Sequence, residues 1–164
     1  MGLFTLLLRL HPDDLKGISR QSLYKRFHMA DGFKSDDVLN IDKSREGIVY
    51  LLKDKHIQHA ISGPGEKSFS GEKLVFPDDD NDSIVYWVLT PEEVKRLSKQ
   101  LAEINSIELQ NNFDPWLMMD LDIYPYTWDR GNEAYDYLRS HLFAIKNFIS
   151  LAALSSMAVV IVTT

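Results

Sequence analysis

Apolar positions along this chain fall into two periods, and the alternation between them outlines the elements. Residues 2–9 hold the unbroken run Leu6-Leu7-Leu8 and read as a buried strand. Ile84-Val85-Tyr86-Trp87-Val88 and Ala158-Val159-Val160-Ile161-Val162 are rich in β-branched and aromatic residues, the mark of strands. Val94, Leu97, Leu101 and Ile104 recur at helical spacing. So do Leu138, Leu142, Ile145, Ile149 and Ala152, which predict a long helix over 133–155.

Local signals mark where these elements begin and stop. Thr90-Pro91-Glu92-Glu93 combines a threonine cap, proline in the first turn and glutamate three residues on, which together form a capping box. His11-Pro12-Asp13-Asp14 starts a short helix in the same way, and Asp114-Pro115 starts another that Tyr124-Pro125 ends. Asp42 is expected to cap a helix that buries Ile41, Ile48, Leu51 and Leu52. Residues 20–38 show poor periodicity and read as a loop with one helical turn. Residues 73–76 and 83–89 read as strands around the polar loop 77–82.

The chain has 164 residues, 45% of them hydrophobic, enough to bury a substantial core in one domain. The expected fold is α+β: a single compact domain over 1–164, with a mixed sheet, several helices and a long C-terminal helix. Zero cysteines exclude disulfides, thiol nucleophiles and thiolate metal sites. Net charge is −6, but unevenly spread: residues 1–76 balance at +2 and residues 77–164 at −8. That acidic half repels phosphate backbones, so no nucleic-acid partner is expected.

Two apolar stretches invite a targeting or membrane reading. Gly2 to Leu8 lacks a preceding basic region and a cleavage site, so it reads as a strand rather than a signal peptide. Phe148 to Val162 is shorter than the roughly 20 apolar residues of a spanning helix. The expectation is a cytoplasmic protein with no membrane partner.

Candidate chemistry is sparse. Gly63-Pro64-Gly65-Glu66-Lys67-Ser68 places glutamate where a phosphate-binding loop needs glycine, and reads as a turn. Asp78, Asp80 and Asp82 alternate as in a calcium loop, but Ser83 and Leu89 stand where glycine and glutamate are required. His56 and His59 share a helical spacing without a third ligand, so no metal and no cofactor are expected. No serine sits in a nucleophile elbow. Lys16, Arg20, Lys25 and Arg26 read as a solvated face. Asp42, Lys43, Asp114, Trp116, Tyr124 and Trp128 remain as candidate binding residues, with no catalytic residue assigned.

Several segments in order resemble the YfbM-like family of uncharacterised bacterial proteins. They are the first strand, Ile41-Asp42-Lys43, Ala60-Ile61-Ser62-Gly63, Leu89-Thr90-Pro91-Glu92-Glu93-Val94, Phe113-Asp114-Pro115, Ile123-Tyr124-Pro125 and Trp128. The family often has tryptophan after an Asp-Lys-small run, and after Asp42-Lys43-Ser44 this chain has Arg45. The resemblance implies a compact α+β fold and supplies no activity, cofactor or catalytic residue. Two functions follow as expectations. One is a protein-interaction or regulatory domain without catalysis, meeting a basic partner and presenting Trp116, Tyr126 and Trp128. The other is a hydrolase or small-ligand enzyme with a pocket near Asp42, Lys43, Tyr50, Asp114, Tyr124 and Trp128.

Overall fold

A computed structural model describes residues 4–28, 36–52, 72–74 and 84–163. The turn expected at 62–65, His56, His59, the aspartate loop 77–82 and part of the strand expected at 73–76 lie outside these residues. Among the described residues five strands make one sheet: β1 (Thr5–Leu10), β2 (Val38–Asn40), β3 (Glu72–Lys73), β4 (Tyr86–Leu89) and β5 (Ala158–Thr163). Their order is β2-β1-β5-β4-β3, and every pairing is antiparallel. The α+β class holds, but the sheet is antiparallel rather than mixed.

Both faces of the central strands are buried, which is why β1 and β5 read as nearly continuous apolar runs. Leu7, Leu89, Val159 and Ile161 face the main helical layer. Leu6, Leu8, Leu10, Tyr86, Val88, Val160 and Val162 face the other way. That second face is covered by α1 (Arg20–His28), through Leu23 and Phe27.

The nine-residue helix α1 corrects the first part of the loop expected over 20–38, of which 29–35 lie outside the described residues. Ser19 starts it, its hydroxyl accepting from the Ser22 amide at 3.2 Å. Leu23 and Phe27, four residues apart, are both buried, and Phe27 lies 6.1 Å from the Tyr86 ring. Two anchors are too few to reveal a period in a segment that is otherwise polar. The sheet face supplies the stability that local sequence does not.

On the other face, α2 (Arg45–Leu52), α3 (Pro91–Ala102) and α6 (Asn132–Leu154) pack over the sheet. In α3 the capping box closes as expected: the Glu93 amide donates to the Thr90 hydroxyl at 3.3 Å, and the Thr90 amide donates to Glu93 Oε2 at 2.8 Å. The whole expected stripe of α6, from Leu138 to Ala152, is buried. Two short helices link α3 to α6. The first, α4 (Ser106–Asn112), was not anticipated; Asn105 caps it. The second, α5 (Pro115–Asp120), begins where Asp114-Pro115 placed it.

Gly47 of α2 is a point of close approach. A Cβ there would stand 2.6 Å from Trp128 Cη2 and 2.7 Å from Leu138 Cδ2. Both neighbours are fully buried and have nowhere to retreat. Gly47→Ala is therefore expected to destabilise the fold by about 1–3 kcal/mol through overpacking. Urea denaturation of the variant against the wild type checks this; an unchanged midpoint would show that the helix slides to make room.

Candidate functional site

The chain from 121 to 131 turns sharply four times before entering α6. Asp122 (φ 53°) and Tyr126 (φ 64°) are left-handed, the Tyr124–Pro125 peptide is cis, and Gly131 has φ 60°. The Tyr124 amide donates to Glu46 Oε2 at 3.1 Å, tying this segment to α2. At its centre Trp128 is fully buried, at 0% exposure, and its indole N–H donates to the Ile123 carbonyl at 2.7 Å. Trp128 was expected on the surface. It lies inside because Gly47, lacking a side chain, leaves a slot for the indole.

Facing this segment is the corner between β2 and α2. Asp42 was expected to cap α2, but it adopts φ 50° and points elsewhere. Aspartate tolerates this left-handed region better than most residues. Its amide donates to Asn40 Oδ1 at 2.7 Å, and its Oδ2 accepts the Tyr137 hydroxyl at 3.0 Å. The same Tyr137 oxygen accepts from the Lys43 amide at 3.2 Å. One phenol on α6 thus holds two consecutive residues of the corner. The carbonyl of Ser44 takes the first helical bond of α2, from the Ile48 amide, while its hydroxyl donates back to the Ile41 carbonyl at 2.6 Å.

Between the corner and the 121–131 segment lies a cavity of about 430 Å³. Asp42, Lys43 and Tyr137 form one wall, Trp128 and Ala134 the buried floor, and Thr127, Arg130 and Glu133 the exposed rim. Burial, then the hydrogen bond and charge of Asp42, push the Tyr137 hydroxyl well above its ordinary value of 10. The His141 ring stands 4.7 Å from Tyr137, edge to face. Burial holds its pKa below 6.5, and the negative charge of Asp42 opposes this only in part.

Of the candidates read from sequence, the cavity collects Asp42, Lys43 and Trp128. Asp114, Trp116 and Tyr124 do not line it. Asp114 caps α5, its Oδ1 accepting from the Leu117 amide at 3.0 Å, and Trp116 projects from α5 at 71% exposure. Burial, and then the charge of Asp114, raise the Tyr50 hydroxyl above its ordinary value. Tyr124 nonetheless lies near enough to add, as the smallest of the causes, to the rise of the Tyr137 hydroxyl. Among the described residues, no group of three His, Asp or Glu side chains is placed to hold a metal ion, and no helix is long and apolar enough to cross a membrane.

Comparison with known proteins fits this fold. The profile of a family described as a domain of unknown function, DUF1877, matches residues 1–162. The chain belongs to the DUF1877 family. It also matches the crystal structure of YfbM, a protein of unknown function from Escherichia coli. The TM-score is 0.68 over 98% of this chain and 99% of that one, at 12% identity, so the likeness speaks for the fold alone. No curated protein matches the sequence.

In this DUF1877 chain the sequence reading missed Arg130, Glu133, Tyr137 and His141. A usable signal was present. Arg130, Ala134, Tyr137 and His141 follow at spacings of four, three and four, so they share one side of the helix and its entry turn. Tyr137→Phe keeps the ring but leaves the Asp42 carboxylate and the Lys43 amide without their shared partner. A loss of about 1–2 kcal/mol is expected in chemical denaturation.

The lowered pKa of His141 also sets a pH dependence. The unfolded chain binds this proton more readily, so stability rises with pH across the transition. The contribution of the neutral ring is complete above about 6.5 and is lost as pH falls through that value towards the lower folded pKa. Melting temperatures measured from neutral to mildly acidic pH should fall more steeply for the wild type than for His141→Gln. Parallel curves would refute the assignment.

Proposed function

We propose that this chain is a protein-interaction domain that recognises a basic partner through the α4–α5 region, without catalysing a reaction. The observation that carries this reading is compositional and spatial together. Residues 103–136 hold eight Asp/Glu, all exposed, against the single base Arg130. The same stretch exposes Ile107, Trp116, Leu117, Leu121 and Tyr126. Leu117 and Leu121 lie four residues apart along α5 and its end, so they share a side, with Trp116 and Asp120 adjoining.

Acidic surface alone serves solubility. Large apolar side chains set among the acids are a different matter, because their exposure is unfavourable until a partner covers them. Tryptophan is the residue type most often found to anchor an interface. The surrounding carboxylates speed encounter with a positively charged partner and repel phosphate and anionic lipid. A catalytic reading draws less support, since Asp42 is engaged by Tyr137 and Asp114 by a helix end.

Affinity capture from the native cell tests the proposal. Wild-type chain is expected to retain a protein with a basic surface at low salt and release it as salt rises. Trp116→Ala combined with Leu121→Ala should weaken the purified complex by roughly tenfold or more in calorimetry, the effect of losing interface anchors. Retention of nothing at low salt would remove the proposal. Equal affinity of the double variant would remove it as surely.

A further inference from the structure

The cavity between the 42–43 corner and α6 has a character of its own, separate from the α4–α5 surface. Lys43 and Arg130 bring two positive charges to its lining, and Asp42 and Glu133 bring two negative ones. Among the described residues, none of the four forms an ion pair within 4.0 Å, with each other or elsewhere. Arg130 and Glu133 stand three residues apart, a spacing at which opposite charges commonly pair, yet they do not. Lys43 Nζ instead lies 5.5 Å from the Phe4 ring centroid, and Asp42 holds the Tyr137 hydroxyl.

A ligand of one charge sign would meet as much repulsion as attraction in this hollow. A phosphate would face two carboxylates, and a simple amine two cations. An uncharged apolar molecule would strip water from the half-buried Asp42 and Lys43 without replacing it. Only a molecule carrying both signs satisfies the lining. Pro125 and Ala134 in the lining can then meet its hydrocarbon, and a volume of about 430 Å³ falls at the smaller end of small-molecule sites. We infer that this cavity binds a small zwitterion, a free amino acid or a dipeptide, with its carboxylate towards Lys43 and Arg130 and its ammonium towards Asp42 and Glu133.

A thermal-shift panel of the free amino acids and a set of dipeptides, followed by calorimetry on any that raise the melting temperature, tests the inference. The two arms distinguish the free amino acid from the peptide as the source. At least one member is expected to bind, and its N-acetylated and C-amidated forms should each bind roughly tenfold or more weakly, having lost a charge-assisted contact. Arg130→Gln and Glu133→Gln, both at exposed positions on the rim, should each weaken binding by a similar factor. Trp116→Ala should leave it unchanged, which separates this site from the α4–α5 surface. The inference fails if no member of the panel shifts the melt, if the blocked forms bind as well as the parent, or if both rim variants bind like the wild type.

Discussion

Burial of the sheet on both faces is the constraint from which the other features follow. A strand covered on one side alternates apolar and polar residues, whereas β1 and β5 have almost no polar position to spare. The exceptions are matched. Thr5 and Thr163 face each other across the central pair with hydroxyl oxygens 3.2 Å apart. Arg9, towards the end of β1, spreads its guanidinium over the Phe148 ring at 4.8 Å and reaches Asp37 at 3.2 Å and the Asp36 carbonyl. Its charge is thereby kept at the sheet margin, beside groups that answer it.

That layering also dictates where a hollow can form. The helices over the Leu7 face are close-packed around Leu138, Leu142 and Ile149, leaving little room beneath them. A wider hollow opens at the start of α6, beside the irregular 121–131 backbone that delivers Trp128. The left-handed Asp42 corner faces it and is fixed by Tyr137. Irregular backbone is concentrated here and the regular elements supply the rigidity, a division common to sites that hold ligands.

Much of the fold was legible because the relevant physics is local. Thr90 and Glu93 cap within one turn, and the α6 stripe repeats often enough to declare its period. What escaped depended on distant partners. Helix α1 rests on two residues whose burial needs Tyr86, and Trp128 is inside because Gly47 is not alanine. Asp42 was legible as a residue with a role but not as to which: its partner lies 95 positions away, and a left-handed turn leaves no spacing rule to read. The cavity was half visible for the same reason. Asp42, Lys43 and Trp128 stood out by type, whereas Tyr137 and Glu133 looked like the outer face of an ordinary amphipathic helix.

The register of the central pair has a consequence for biosynthesis. Thr5 aligns with Thr163, so the segments that hydrogen-bond at the middle of the sheet are made first and last among the elements described. Until β5 has been made, β1 has only the three-residue β2 beside it, and β4 lacks its inner neighbour. Both would show open edges and apolar side chains until β5 emerges. Assembly of the central pair must therefore wait for that strand, and so distant a closure favours slow, all-at-once folding over stepwise growth.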